Sequence, residues 1–462
     1  MKKAFIVTGL GYGDEGKGSV THWLSCQHKA HTVIRTGGPQ ALHHVVCKDD
    51  TSHVFSQFGS GTLRGSATHL SKNMVIDPHA ILAEGEILKY EHGIRGIFDM
   101  MTIHEDALVI TPFSAIAGRV RELLRGKNRR GSVGIGVGET ILDSEIIGEA
   151  AIRAKDLSKP YLREKLEIIQ RRKWAEFEIF ADRASELPSN VKERVTSELA
   201  QMNDSDTVQW MIERCAELVK HVCVVDTEFV AKRILGAEGT VVFEGSQGVL
   251  LDRYYGFHPY TTKVRATPLT AKEILRECEY DGNVQSLGIL RAYHTRHGAG
   301  PFVSESAGLM AQLPDETNKE HPWQGSFRVG HFDLLLARYA LEVCRGAIDG
   351  LVITCIDRVL PLGRWGMCLA YDIKNSLGTD IMRDLPVYRK EPADQLKMQE
   401  MLSRSFSQCT PRLDMYEFSE REAPEKHITT LTSVLRDSLN IPIVAVSVGP
   451  TEADKIEMEN GQ

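Results

Sequence analysis

No stretch of this sequence approaches the ~18 continuous apolar residues that a membrane-spanning helix requires, so no helical membrane span and no membrane partner are expected. Nor is there a marked excess of one charge. Lys and Arg number 55 against 62 Asp and Glu, a formal net charge of −7, which leaves no electrostatic footprint for a nucleic-acid partner. A disulfide framework is absent too. Nine cysteines, an odd number, lie scattered through 462 residues, as expected of reduced thiols in a cytoplasmic protein. His43, His44 and Cys47 lie close together, but no fourth ligand at zinc-like spacing is near them, so the sequence gives no zinc site. Met1-Lys2-Lys3 runs at once into an apolar stretch, leaving no room for a secretory leader. Internal repeats and low-complexity tracts are also missing. What remains is the composition of an ordinary globular protein, 42% hydrophobic and 25% charged, long enough for two or three domains or one large α/β domain with insertions.

Apolar runs predict strands at 4–8, 32–35, 73–76, 107–111, 241–243, 287–290, 351–354 and 443–446, alternating with helical patterns. Residues 43–56 read as a hairpin turning at Lys48-Asp49-Asp50-Thr51. One helix is expected to start at Pro78 with Asp77 as its cap, another to run over 113–124, and a strongly apolar one over 331–345. The alternation predicts an α/β fold: a large, mainly parallel central sheet with helices on both faces. Residues 155–220 are highly charged, poor in glycine and helical in period, and read as a helical insertion or subdomain. The tail after Lys455 is polar and reads as mobile.

The most informative stretch follows the first strand: Gly9-Leu-Gly-Tyr-Gly-Asp14-Glu15-Gly16-Lys17-Gly18-Ser19. A glycine-rich turn between strand and helix aims backbone N–H groups and a lysine at an anion, usually a phosphate. It is not an ordinary P-loop, because Gly18 follows Lys17 and the hydroxyl arrives one residue late, at Ser19. A phosphate cradle alone would avoid carboxylates, so Asp14 points to a metal ligand, a proton acceptor, or both.

Further clusters follow later strands. Thr36-Gly-Gly-Pro-Gln40-Ala41-Leu42-His43-His44 supplies a candidate general acid in His43, with His44 read as structural. Residues 125–138 run from basic side chains into a glycine-rich turn, and suit an anion site or a flexible surface loop equally. Phe243-Glu-Gly-Ser-Gln247-Gly248 offers an amide able to read a base edge. Pro259-Tyr-Thr-Thr262, Tyr293–Phe302 and Thr354-Cys-Ile-Asp357 complete the set, Asp357 being suited to accept two hydrogen bonds from guanine.

Together these motifs resemble the adenylosuccinate synthetase family. The resemblance rests on Gly-Asp-Glu-Gly-Lys-Gly at 13–18, Gly37, Gly38 and His43, Phe-Glu-Gly-x-Gln-Gly at 243–248, Pro-Tyr-x-Thr at 259–262, Leu-Gly-Ile-Leu at 287–290 and Thr-Arg-x-Gly-Ala-Gly-Pro-Phe at 295–302. It spans roughly residues 4–450 and implies one synthetase-like domain over 1–462, with a P-loop-like GTP-binding core. It implies a GTP-dependent C–N ligase acting in two steps. The γ-phosphoryl of GTP is placed on the 6-oxygen of IMP, and the amino group of aspartate then displaces it. Asp14 would take the N1 proton and bind Mg²⁺, His43 would assist at the 6-oxygen, and Lys17 would attend the transferring phosphoryl. Nucleotide-binding positions would be Gly13, Glu15, Gly16, Gly18, Ser19, Arg328, Asp357, Ser447 and Gly449. Substrate-binding positions would be Gln40, Ala41, Val133, Arg153, Gln247, Thr262 and Ser326, with the carbonyl of Leu42 as a second metal ligand and a homodimer sharing Arg153.

The chain departs from the family pattern where substrates are read. An asparagine becomes Gln40, a glycine Leu42, and the phosphate-holding threonine Val133. The arginine-rich loop that reads aspartate becomes Gln324-Gly-Ser326-Phe-Arg328-Val-Gly-His331, and the lysine of the guanine motif becomes Cys355. A bidentate arginine is not replaced by serine or phenylalanine where a carboxylate must be held. The activating residues Asp14, Lys17, His43, Gln247 and Thr262 are all present, so the expectation is an active synthetase whose purine acceptor or amino donor is not the standard one. Two readings compete: the ordinary IMP–aspartate reaction with compensating residues elsewhere, and a catalytically silent nucleotide sensor or assembly protein.

Overall fold

Alternate residues of the strand Lys2–Gly9 go to opposite faces of a sheet, and both faces are covered. Ala4 and Ile6 pack with Val230, Ile234 and Ile274 on one side. Phe5 and Val7 pack on the other with Val20, Trp23 and Leu24 of the helix Lys17–Gln27. A strand buried on both faces reads as an unbroken apolar run, which is why it stands out in the sequence. The computed structural model describes residues 1–315, 318, 323–375, 378–419 and 421–458.

This strand lies inside an 11-stranded sheet. From one edge the order is Lys455–Glu457, Ile443–Ser447, Gly350–Thr354, Asn283–Arg291, Lys2–Gly9, Gly239–Gly248, Thr32–Gly37, Ala67–Ile76, Met101–His104 and Cys223–Val225, with Leu108–Val109 beside the far end of Ala67–Ile76. Every pairing is parallel except that of the edge strand Lys455–Glu457, which runs antiparallel to Ile443–Ser447. The mainly parallel α/β fold is therefore as expected.

Residues 155–220 fold largely into three helices, Leu162–Asp182, Ser189–Met202 and Ser205–His221. Leu166, Ile169 and Phe177, then Val195 and Leu199, then Met211, Cys215 and Leu218 form buried stripes at helical spacing. They join Pro78–Tyr90 and Pro112–Arg125 in one apolar cluster. Buried Lys173 bonds Glu139 at 2.7 Å and Asp143 at 2.9 Å, tying the first of the three to the helix Val137–Ile147. Asp77 caps the helix at Pro78 as expected, accepting from the amides of His79 and Ala80.

Several expected elements are corrected. The helix over 331–345 is shorter, Leu334–Val343, because the Asp333 side chain caps it by accepting from Leu336, while Phe332 and Asp333 form a short strand. The strand at 73–76 extends over Ala67–Ile76, and that at 107–111 shrinks to Leu108–Val109. The tail does not leave the fold at Lys455: residues 455–457 are the edge strand, and residues 459–462 lie outside the described set. The antiparallel strands Arg364–Asn375, Gly378–Met382 and Cys409–Glu417 were not foreseen. Cys409–Glu417 is mostly exposed and so lacks the alternating apolar pattern that marks a strand.

The motif loops leave the carboxyl ends of neighbouring parallel strands, after Gly9, Gly37, Gly248, Arg291, Thr354 and Ser447. That edge is where open α/β sheets bind ligands.

Candidate active site

The glycine-rich turn treats its two acids differently. Glu15 folds inward, accepting from the Gly13 amide at 2.6 Å and pairing with Lys17 at 2.9 Å, while its own carbonyl accepts from the Thr354 hydroxyl. Lys17 Nζ also donates to the Gly13 carbonyl at 2.8 Å. Gly16 sits at φ 90°, a left-handed position that favours glycine, and opens the helix without a side-chain cap. The amides of this helix start are left for an anion. Ser19 donates its hydroxyl to the Pro450 carbonyl at 3.1 Å, which joins this helix to the loop after Ser447.

Asp14 is the acid left facing outward. Its backbone carbonyl accepts from Arg291 Nε, and its Oδ2 lies 3.0 Å from His297 Nδ1. Burial opposes ionisation, but the hydrogen bond and charge of His297, with Arg291 and Lys17, outweigh it and hold the Asp14 pKa below its ordinary value. Asp14 is thus an anion at neutral pH, able to accept a proton. His297 lies within the Tyr293–Phe302 cluster, but neither it nor Arg291 was singled out in the sequence as a partner of Asp14, since their pairing joins segments far apart in the chain. Replacing His297 by leucine removes the main opposition to burial, so the Asp14 pKa rises. The acid limb of the kcat/KM pH profile is expected to move to higher pH, with the alkaline plateau retained, as a pH–rate series would show.

His43 stands at the start of a hairpin, the strands His43–Val46 and Ser52–Phe55, as expected. Its Nδ1 lies 2.7 Å from Glu244 Oε1, and its Nε2 is buried without a hydrogen-bond partner among the described residues. Glu244 also accepts from the Ser60 amide at 3.1 Å and from the Ser60 hydroxyl, with Arg35 Nε at 3.8 Å. Burial works against ionisation of Glu244, but His43, Arg35 and Ser60 together draw its pKa down to about 2. Burial also lowers the pKa of His43, more than Glu244 raises it. The resting pair is a carboxylate accepting from Nδ1–H of a neutral imidazole, which aims the Nε2 lone pair away from Glu244. Gly18 is explained by the same hairpin: a Cβ there would lie 2.7 Å from the Cβ of His43, so the hydroxyl residue of an ordinary P-loop has no room.

Beside these groups lies a cavity of about 420 Å³ lined by Gln40, Val133, Gln247, Thr262 and His297. Gln40 Nε2 donates to the Thr262 hydroxyl at 3.4 Å, so two of the expected substrate contacts meet across it. Arg130 and Lys263 also line this cavity, and burial lowers the pKa of both. Neither side chain is in an ion pair among the described residues. The uncapped start of the helix Val137–Ile147, at left-handed Gly136, opens onto the same space. Exposed Arg130, half-buried Lys263 and the helix N-terminus give this part of the cavity a cationic character that suits an anion. Arg130 belonged to the basic cluster noted in the sequence, whereas Lys263 gave no signal there.

The remaining expected positions are placed as follows. Ala41 is buried and its carbonyl accepts from Arg35, while Leu42 is 63% exposed, with a backbone outside the left-handed region. Ser447 donates to the Gly449 carbonyl at 2.8 Å, and Lys455 donates to the carbonyls of Gly449 and Thr451. Asp357 starts a short helical turn after Gly350–Thr354, where burial raises its pKa. Arg328 is engaged on both sides, by Glu305 and by the carbonyls of Gly298 and Gly300. Ser326 accepts the Gly298 amide through its carbonyl, and Gln324 is the residue of that loop that lines the cavity. Arg153 lies outside the cavity, donating to the Asp106 carbonyl at 2.9 Å.

Comparison with known proteins adds the following. The adenylosuccinate synthetase family model matches residues 6–456. The chain is 30% identical to the adenylosuccinate synthetase of the Paulinella chromatophora chromatophore, covering 98% of this chain and 96% of that one. It is 29% identical to the Synechocystis enzyme of the same name, covering 98% and 95%. Among solved structures, a fully ligated adenylosuccinate synthetase from Plasmodium falciparum superposes with a TM-score of 0.75 at 18% identity, over 98% of this chain and 99% of that one. A cyanophage S-2L succinoaminodeoxyadenylate synthetase, bound to dGMP and to dATP as an energy donor, superposes at 0.59 with 15% identity, over 100% and 96%.

Proposed function

We infer the activity from one premise: this chain belongs to the adenylosuccinate synthetase family. It is a ligase of purine nucleotide biosynthesis. The reading we propose is that it uses GTP to phosphorylate the 6-oxygen of a purine nucleotide and then joins that carbon to the amino group of an amino acid. One observation carries it: an ionised Asp14 and a buried His43 with a spare Nε2 flank a glycine-rich helix start at the carboxyl edge of the sheet. Asp14 takes the N1 proton, which makes the 6-oxygen nucleophilic. His43, once protonated at Nε2, donates to that oxygen, and Lys17 with the amides after Gly16 receives the phosphoryl.

The donor set fits magnesium. Asp14 uses Oδ2 for His297 and keeps Oδ1, and one carboxylate plus substrate phosphates is a usual Mg²⁺ environment. Asp14 and the Leu42 carbonyl would hold the ion, which neutralises charge on the phosphoryl group in flight. Asp357, Ser447 and Gly449 receive the guanine of GTP. Further parts of this reading are one synthetase-like domain over 1–462 with the helical insertion at about 155–220, a cytoplasmic homodimer in which each protomer brings Arg153 to the other's cavity, and small-molecule partners alone.

The acceptor–donor pair differs from IMP and aspartate. Val133 offers no hydroxyl to a phosphate, while Arg130, Lys263 and the Val137–Ile147 helix start supply cationic character instead. In the loop expected to read an amino acid's carboxylate, Arg328 is already held by Glu305 and two carbonyls. The cyanophage protein of this fold is bound to dGMP and dATP, nucleotides other than IMP and GTP. The test is phosphate release by the purified chain with GTP and Mg²⁺ over a panel of 6-oxopurine nucleotides, deoxynucleotides and nucleosides, each with several amino acids. A faster rate with another pair than with IMP and aspartate is expected. A full rate with IMP and aspartate ends the altered-substrate reading, and background release across the panel favours the silent sensor. With the acceptor in hand, Lys263→Met is expected to raise its KM about tenfold or more, since a charged hydrogen bond is worth roughly 1.5–3 kcal/mol, and to leave kcat nearly unchanged.

A further inference from the structure

Farther along the helix Lys17–Gln27 from the glycine-rich turn, four potential metal ligands from three separate segments meet. His22 and Cys26 lie one helical turn apart. Cys47 follows directly on the first strand of the hairpin that begins at His43, and Glu452 opens the turn before the edge strand. His22 Nε2 lies 3.5 Å from Cys47 Sγ, 3.6 Å from Cys26 Sγ and 3.6 Å from Glu452 Oε2. The ligand atoms of His22, Cys47 and Glu452 all fall within 4.8 Å of one another. A tetrahedral ion with Zn–N of ~2.0 Å and Zn–S of ~2.3 Å separates its nitrogen and sulfur ligands by ~3.5 Å, the spacing found here.

The orientation of His22 supports the same conclusion. Its Nδ1 lies 3.2 Å from the Ser60 carbonyl, which can only accept, so the ring proton is on Nδ1 and the lone pair of Nε2 faces the sulfurs and the carboxylate. A histidine that donates its other ring N–H to a backbone carbonyl is the usual arrangement in metal sites. Glu452, whose side chain is 12% exposed, is held beside Nε2 by Arg64 at 3.0 Å and by the Lys48 amide at 3.1 Å. We propose that His22, Cys26, Cys47 and Glu452 bind one soft divalent transition-metal ion of the zinc type, at a structural site separate from any magnesium at Asp14. Sulfur and imidazole ligands select such an ion, whereas Mg²⁺ prefers oxygen. The site joins the catalytic hairpin to the segment after the Ser447 loop. It also reaches the reaction centre through Ser60, which accepts from His22 and donates to Glu244, the partner of His43.

The test uses the full-length chain, without a histidine tag, stripped by a chelator and titrated with Co²⁺. Binding of about one equivalent, with a sulfur-to-cobalt absorption band in the near ultraviolet, is the expected result. That band is expected to weaken in Cys47→Ser, to disappear in the double variant Cys26→Ser/Cys47→Ser and to persist in full in Cys278→Ser, a cysteine on the opposite face of the sheet. Should the double variant fail to fold by circular dichroism, Glu452→Gln serves in its place, and its Co²⁺ affinity is expected to fall about tenfold or more. Absence of the band in the native chain, its persistence in the folded double variant, or an unchanged affinity in Glu452→Gln overturns the site.

Discussion

Asp14→Asn is expected to cut turnover by about 10³-fold or more while the protein still folds. General-base catalysis alone contributes roughly 10²–10⁴-fold, and Asp14 also carries the carboxylate oxygen assigned to magnesium. An asparagine keeps the shape and accepts a hydrogen bond, but it can neither take a proton nor balance the charges of Arg291 and Lys17. The fold survives because Asp14 is anchored by its backbone carbonyl on Arg291 and, among the described residues, its side chain makes a single bond, to His297. Steady-state rates on the best substrate pair, with a thermal melt alongside, check both halves. A variant that keeps wild-type turnover removes Asp14 from the chemistry.

Glu244→Ala is expected to be the most destabilising change at the site. Glu244 is fully buried and balances Arg35, which is also fully buried and donates to the carbonyls of Phe58 and Ala41. Removing one member of a buried charged set leaves the other uncompensated, at a cost of about 3–5 kcal/mol. Ser60 loses the acceptor of both its amide and its hydroxyl, and His43 loses the bond that fixes its tautomer. The urea midpoint is expected to fall accordingly, with activity lost as well. Glu244→Gln separates the two effects, since it preserves shape and part of the hydrogen bonding. Its midpoint falls less, whereas its kcat still drops because a neutral amide does not hold the imidazole as a carboxylate does. A Glu244→Ala variant with an unchanged midpoint shows that the cluster is not a coupled buried network.

The parts of this protein that were legible in the sequence share a physical cause. The central strands, such as Ala4–Val7 and Val241–Phe243, are buried on both faces and must be apolar at every position. The helices of 162–221 bury one stripe each and show it in their spacing. Glycines at 13, 16 and 37 mark left-handed backbone that other residues rarely adopt. These signals are local, so reading along the chain recovers them, and with them the family, the sheet and the loops that carry Asp14, Lys17 and His43.

Tertiary structure alone decided which polar group faces which. Asp14 and His297 are 283 positions apart, His43 and Glu244 201 apart, and Gln40 and Thr262 222 apart. Both Glu15 and Asp14 carry the same carboxylate, yet one is locked to Lys17 and the other faces His297. Arg328 looked available in its motif and is engaged by Glu305, whereas Lys263 looked ordinary and lines the cavity. Cys47, which has only His43 and His44 near it in sequence, meets His22 and Glu452 only when the hairpin packs between the first helix and the last strand. Backbone conformation and burial follow from each residue's near neighbours, whereas charge, protonation and ligation depend on groups that only folding brings within a few ångströms.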